Sequence, residues 1–386
     1  MTWTVENLKE WDDRIIEIAK GYGLDWYPIN YEVCDYYSMI GHMSYHGMPT
    51  HYDHWSYGKT FERTHQSYNA GVEGLPYELI INSNPSIAYL MRENPLYLQV
   101  LIMAHCVGHS DFFKNNRMFK HTRPESVIGR FRQAKKRIQE YVEDPYIGIE
   151  KVEETIDACH ALQYQIYRDG TQRKTHKELV EYYKGLRSHD TDGNLVTIDL
   201  DSPPLESDHD IMGFISEHAR MPDWKRDIIE IVRDEAYYFM PQIQTKIMNE
   251  GWASYWHYTI CHDLQLSDKH HIPFLRMHNA VIRPHIGGLN PYHLGFVIFQ
   301  SIKENHGLEE CFIARESGND ISFIRQYLTE ELCHELNLFS WSEKKESYTI
   351  DEISDEEGWK KVKNHMCSSI ADSRLPVIKV EDIDMD

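Results

Sequence analysis

Apolar residues recur at helical spacing from the start of the chain. Leu8, Trp11, Ile15, Ile18 and Ala19 share one face of residues 4–22, and Gly21 and Gly23 stop the helix this predicts. A polar, aromatic segment follows over residues 25–55, with a turn at Gly47-Met48-Pro49, then a short helix to about Asn69. Glu78 to Ile81 reads as a strand, and Asn82-Ser83-Asn84-Pro85 turns the chain out of it toward a helix. Residues 96–103 are an unbroken apolar run, the pattern of a buried helix, which Ala104-His105-Cys106-Val107-Gly108-His109 continues.

Residues 124–143 form a basic amphipathic helix whose Arg130, Arg132, Lys135, Lys136 and Arg137 read as a solvated face. Pro145 opens another helix to about Tyr167. Residues 170–210 are polar, include Pro203-Pro204, and read as a loop or linker. Helix returns over 211–218 and 222–262, interrupted near Pro241. His270-His271-Ile272-Pro273 reads as a loop, and Leu289 to Gly295 as a turn opening a helix to about Ile302. Residues 314–325 lead into a helix ending near Leu338. From Phe339 the pattern becomes strand near 347–350, helix near 356–364 and strand near 377–380. The expected fold is mainly α with a minor β component, an α+β chain. Residues 1–338 would form a helical core and 339–386 a small C-terminal α+β unit that the chain does not close.

Composition narrows the function classes. At 41% hydrophobic over 386 residues, the chain can bury one large core or two. A net charge of −21 disfavours nucleic acid as the main partner. No apolar run is long enough to span a membrane, and the acidic, polar N-terminus is not a secretory signal. Seven cysteines without regular spacing argue against a disulfide framework and for a reduced, cytoplasmic protein. The 23 histidines are the compositional hint of metal chemistry.

That hint has a focus. His105 and His109 lie four apart, so a helix sets both imidazoles on one face, as in the two-histidine half of an H-E-x-x-H zinc site. Cys106 stands where that motif has its glutamate. Glu250, on a helix far downstream, is a candidate third ligand, and it shares a face with Ser254 and His257. Gly251 costs about 1 kcal/mol against alanine in a helix, so something must approach its backbone closely. The plainer reading of that helix is an aromatic-rich core element whose glutamate pairs with an arginine. Glu78, on the preceding strand, and His257 are candidate general bases. A strand before the histidine helix is also the order in zincin metallopeptidases. His42 and His46 share the same spacing, but their aromatic neighbours favour packing. Glu153, Asp157 and His160 form a carboxylate-rich helix face that, with Glu250, could make a di-metal site. No Gly-rich phosphate loop or nucleophile elbow is present.

Several long motifs carry a resemblance. They are His54-Trp55-Ser56-Tyr57-Gly58-Lys59, Tyr77 to Pro85, Ala104 to Asn116, Pro241 to His257, Leu289 to Gly295, and Ser322 to Thr329. On them the chain resembles the SpoVR-like family, the stage V sporulation protein R proteins, over about residues 11–380. The resemblance implies a cytoplasmic protein, in the mother cell or forespore of an endospore former, involved in forming the peptidoglycan cortex of the spore. Its partner would be a cortex-pathway protein or a peptidoglycan precursor. Family sequences usually continue past this chain's end, so the resemblance implies a truncation or a shortened variant at Asp386, and related proteins occur in non-sporulating bacteria. Three functions are compatible with the residues. The first is a zincin-like core of gluzincin type, in which His105, His109 and Glu250 hold Zn²⁺ and Glu78 or His257 is the base for hydrolysis of an amide or peptide bond. The second is a non-enzymatic binding factor for cortex-synthesis proteins. The third is a di-metal carboxylate oxidase.

Overall fold

The computed structural model describes residues 3–70, 78–168, 181, 188–189, 195–196, 210–285, 288–344 and 347–378. Most of the expected polar linker over 170–210, Tyr77, and the last residues from 379 onward lie outside them. The chain is mainly helical with a few strands in small sheets. It divides into two compact units, one within residues 1–136 and 242–374 and the other within 137–241 and 375–386.

In chain order the elements are α1 (Val5–Gly21), β1 (Ile29–Cys34), α2 (Tyr36–Ser44), α3 (Trp55–Asn69), β2 (Glu78–Ile81), β3 (Ser86–Met91), α4 (Leu96–Asn115), a 3₁₀ turn (Arg117–His121), α5 (Val127–Glu143) and α6 (Gly148–Leu162). The short strands β4 (Ser188–His189) and β5 (Leu195–Val196) follow, then α7 (Ile211–His218), α8 (Asp223–Gln244), α9 (Lys246–Asp263), α10 (Asp268–Val281), α11 (Pro291–His306), α12 (Leu308–Ser317), α13 (Asp320–Tyr327) and α14 (Glu330–Glu335). The hairpin β6 (Phe339–Lys344) and β7 (Ser347–Ile353), α15 (Trp359–Ser368) and a 3₁₀ turn (Ala371–Arg374) complete the order.

In the first unit α4 is the axis. Every residue from Leu98 to Phe113 is buried, as an all-round apolar helix requires. α1, α9 and a three-stranded sheet pack around it. That sheet has the order β1-β3-β2, with β1 parallel and β2 antiparallel to the central β3, so β2 is an edge strand. α9 packs on α4 through one face and on α11 through another. Two close approaches make this possible: a Cβ on Gly108 would lie 2.7 Å from Ala253 Cα, and Gly251 meets Gly295 backbone to backbone. The expected close approach at Gly251 is therefore α11.

Two buried carboxylates lock the arrangement. Asp111 of α4 accepts from Arg315 Nη1, Trp252 Nε1 and the Asp25 backbone N–H, each at 2.8 Å. Burial pushes its carboxyl up to about 6, while the Arg315 charge and the three hydrogen bonds pull it back. Asp320 accepts from the backbone N–H groups of Ile247 and Met248, both at 2.9 Å, and so caps the first turn of α9 from α13. The cap is remote because Thr245, at the N-cap, makes no side-chain cap bond.

In the second unit Asp210 caps α7 through the Gly213 N–H at 2.9 Å and takes Arg233 Nη2 at 2.5 Å and the Tyr237 hydroxyl at 3.0 Å.

Several expectations from the chain pattern are corrected. Asn84-Pro85 leads into β3, not a helix, because Ser86 to Met91 is the central strand and is apolar on both faces. β1 and α2 lie within the polar, aromatic segment over residues 25–55, to which the chain pattern assigned only a turn. His270 to Pro273 is the start of α10, held by the buried Phe274 and His278. α8 runs through Pro241, and the break with α9 falls at Thr245. Val377 and Ile378 lie in no strand.

Candidate metal centre

α4 presents His105 and His109 one turn apart, their rings edge-to-face with centroids at 4.5 Å. Glu250 reaches them from α9, with Oε2 3.3 Å from His109 Nε2 and 3.7 Å from His105 Nε2. Glu78 reaches them from the edge strand β2, with Oε1 3.6 Å from His105 Nε2. Glu78, His105 and His109 each offer a ligand atom within 4.8 Å of the others, the metal-capable group among the described residues. The histidines are buried, whereas the Glu78 and Glu250 side chains are 15% and 16% exposed, so the site opens to solvent on its carboxylate side.

The electrostatics are those of an anion facing two imidazoles. Burial alone would raise the Glu250 carboxyl, but the facing His105 and His109 outweigh it and hold the group well below the usual carboxylate range. Burial opposes a charge on His109, yet Glu250 and then Asn249 hold its pKa above the ordinary value. Asn249 Oδ1 lies 2.8 Å from His109 Nδ1, so it orients the ring and leaves Nε2 toward Glu250.

Two atoms decide whether a cation fits. His105 Nε2 and Glu250 Oε2 are both buried, face each other across 3.7 Å, and complete no hydrogen bond. Buried polar atoms are normally satisfied, and two imidazole nitrogens with carboxylate oxygens are a donor set that suits a divalent ion such as zinc. The residues fit the group.

Around this set lie groups that motif reading did not place in the site. The ring of Tyr292, on α11, stacks near His105, with centroids 6.2 Å apart. Glu250, then burial, then Glu78 hold its hydroxyl far above the ordinary range, so it stays a neutral donor. His257 does not face the opening. Its Nδ1 lies 2.8 Å from His105 Nδ1, and its Nε2 lies 2.7 Å from His278 Nδ1. Cys106, in place of the motif's glutamate, is fully buried, and burial, Glu78 and Asp12 keep its thiol protonated.

The family model for SpoVR like protein matches residues 2–374, which contain every one of these side chains. The chain belongs to the SpoVR-like family. The Uncharacterized protein YcgB of Escherichia coli (strain K12) is similar to it, 33% identical over 434 residues that cover 99% of this chain and 84% of that protein. No solved structure matches the chain.

In this SpoVR-like chain, then, the structure brings together His105, His109, Glu250 and Glu78, with His257 behind His105. The buried Arg315 pairs with Asp111, while Glu250 faces His105 and His109. Glu153, Asp157 and His160 sit on α6 in the second unit, whereas Glu250 belongs to the first. His42 stacks on Tyr89 with centroids at 3.9 Å, a packing role. Tyr292 and Asn249 lay inside quoted motifs, next to residues already singled out. His278 carried no sequence signal, since only the fold brings α10 against α9.

Among the described residues, no helix is long and apolar enough to cross a membrane.

Proposed function

We propose that this SpoVR-like protein is a metal-dependent hydrolase with a zincin-like centre, acting in the cytoplasm on an amide or peptide bond of a peptidoglycan precursor or a cortex-pathway protein. The observation that carries the reading is the pair of buried, unsatisfied atoms His105 Nε2 and Glu250 Oε2. His105, His109 and Glu250 would hold the ion, and Asn249 orients His109 behind it. A bound zinc ion supplies Lewis acidity toward a water and a carbonyl oxygen.

The chain's own residues supply the rest. Glu78, partly exposed on the edge strand, takes the proton of the attacking water and passes it to the leaving amine. Glu78 thus does from β2 what a glutamate after His105 would do from α4. The neutral Tyr292 hydroxyl donates to the oxygen that gains charge as the carbonyl becomes tetrahedral. Among the described residues β2 ends the sheet, and an extended peptide could pair along it. His257, engaged at both nitrogens, holds His105 in place and is not the base. The link to cortex formation rests on the family resemblance.

The test is hydrolysis of a soluble nucleotide-linked peptidoglycan precursor by the zinc-loaded protein. The reading expects release of a free amine by wild type and none by Glu78→Gln. Equal turnover by both proteins sinks Glu78 as the base. Zinc binding with no turnover on precursors or peptides contradicts the hydrolase and leaves a structural metal.

A further inference from the structure

We propose that His105, His257 and His278 form a tautomer relay that carries the state of the metal centre to His278, a ring that does not touch it. This rests on the metal reading above.

The three rings are 2%, 0% and 2% exposed. They form a continuous chain through two nitrogen–nitrogen contacts, His105 Nδ1 to His257 Nδ1 at 2.8 Å and His257 Nε2 to His278 Nδ1 at 2.7 Å. A hydrogen bond between two imidazole nitrogens holds one proton. In neutral rings each nitrogen is either donor or acceptor, so fixing one ring's tautomer fixes the next. Burial keeps charge off the inner rings. All three are almost fully removed from water, which disfavours an imidazolium on any of them.

Two orders are then possible. With a cation on His105 Nε2, that nitrogen carries no proton. His105 Nδ1–H donates to His257 Nδ1, His257 Nε2–H donates to His278 Nδ1, and the last proton lies on His278 Nε2. Without a cation, Glu250 and Glu78 facing His105 Nε2 favour a proton there. His257 Nδ1–H then donates to His105, and His278 Nδ1–H donates to His257. Both orders hold three protons and no net ring charge. In switching, His105 releases its Nε2 proton, two protons cross the hydrogen bonds, and His278 Nε2 gains one from outside. The His278 ring packs against Tyr258, Phe296 and Phe274, and Tyr258 in turn contacts the exposed His262, so its environment leads toward the surface.

The roles of His257 and His278 are therefore positional: they present His105 with Nε2 free for a ligand bond. The experiment is solid-state ¹⁵N NMR of the full chain labelled at histidine, metal-free and with one equivalent of zinc, with His278→Gln to assign the signals. The expected result is that zinc moves the proton of His257 from Nδ1 to Nε2 and that of His278 likewise. A chelator competition accompanies it on variants shown folded by circular dichroism. His278→Leu, which leaves His257 Nε2–H without an acceptor, should weaken zinc binding roughly 10- to 100-fold. His278→Gln, whose amide oxygen can accept, should stay near wild type. Zinc bound with both tautomers unchanged overturns the relay and spares the metal reading. No zinc bound at any concentration overturns both.

Discussion

Gly251 of α9 and Gly295 of α11 lie backbone against backbone, so close that a Cβ on Gly295 would sit 2.7 Å from Gly251 Cα. This contact sets the helix bearing Glu250 against the helix bearing Tyr292. Neither glycine can take a side chain without moving a helix that carries the site. Gly251→Ala and Gly295→Ala should each destabilise the protein by about 1–3 kcal/mol or more, read as a lower midpoint in urea. Gly58→Ala, where a Cβ meets nothing within 4 Å, is the control and should be neutral or mildly stabilising.

The two carboxylates should separate by function. Glu250→Gln removes a ligand and should lose zinc. Glu78→Gln should keep zinc and lose turnover. Tyr292→Phe should keep zinc and lower kcat by roughly 10²- to 10³-fold, the usual effect of removing one oxyanion donor. Zinc lost from Glu78→Gln but kept by Glu250→Gln would exchange the two roles.

Acid should weaken the fold through His278. Burial lowers this ring from its ordinary 6.5 to about 4 in the folded chain. The unfolded chain therefore binds the extra proton first, and stability is complete above about 6.5 and declines as pH falls toward 4. The difference in unfolding free energy between wild type and His278→Gln should change with pH across that window by at most about 3 kcal/mol, against wild type at the acid end. A difference independent of pH contradicts a buried neutral His278.

Asp320→Ala should cost about 1–2 kcal/mol, because it strips the acceptors from the first turn of α9. Since Glu250 sits in that turn's continuation, zinc affinity should fall as well. Hydrogen exchange at the Ile247 and Met248 amides gives the direct readout. Unchanged protection there would show that another group caps the helix.

Much of this was legible in the chain and some was not, for physical reasons. The apolar run before His105 announces α4, because a helix buried all round needs no periodicity. Glu250 and Gly251 stood out because a helical glycine demands a close neighbour, although which neighbour it was, Gly295, came from the fold. β3 was hidden because a central strand is apolar on both faces and lacks alternation. The spacing of His257 pointed to the site's edge, but only its two imidazole partners show that it stands behind His105. Tyr292 and His278 come from α11 and α10, and tertiary packing brings them in.

Zinc content of the purified protein, wild type beside His109→Ala, tests the central claim most directly. The account predicts about one zinc per chain in wild type and none in the folded variant. A wild type that holds no zinc after loading, or a His109→Ala protein that holds as much as wild type, would contradict it.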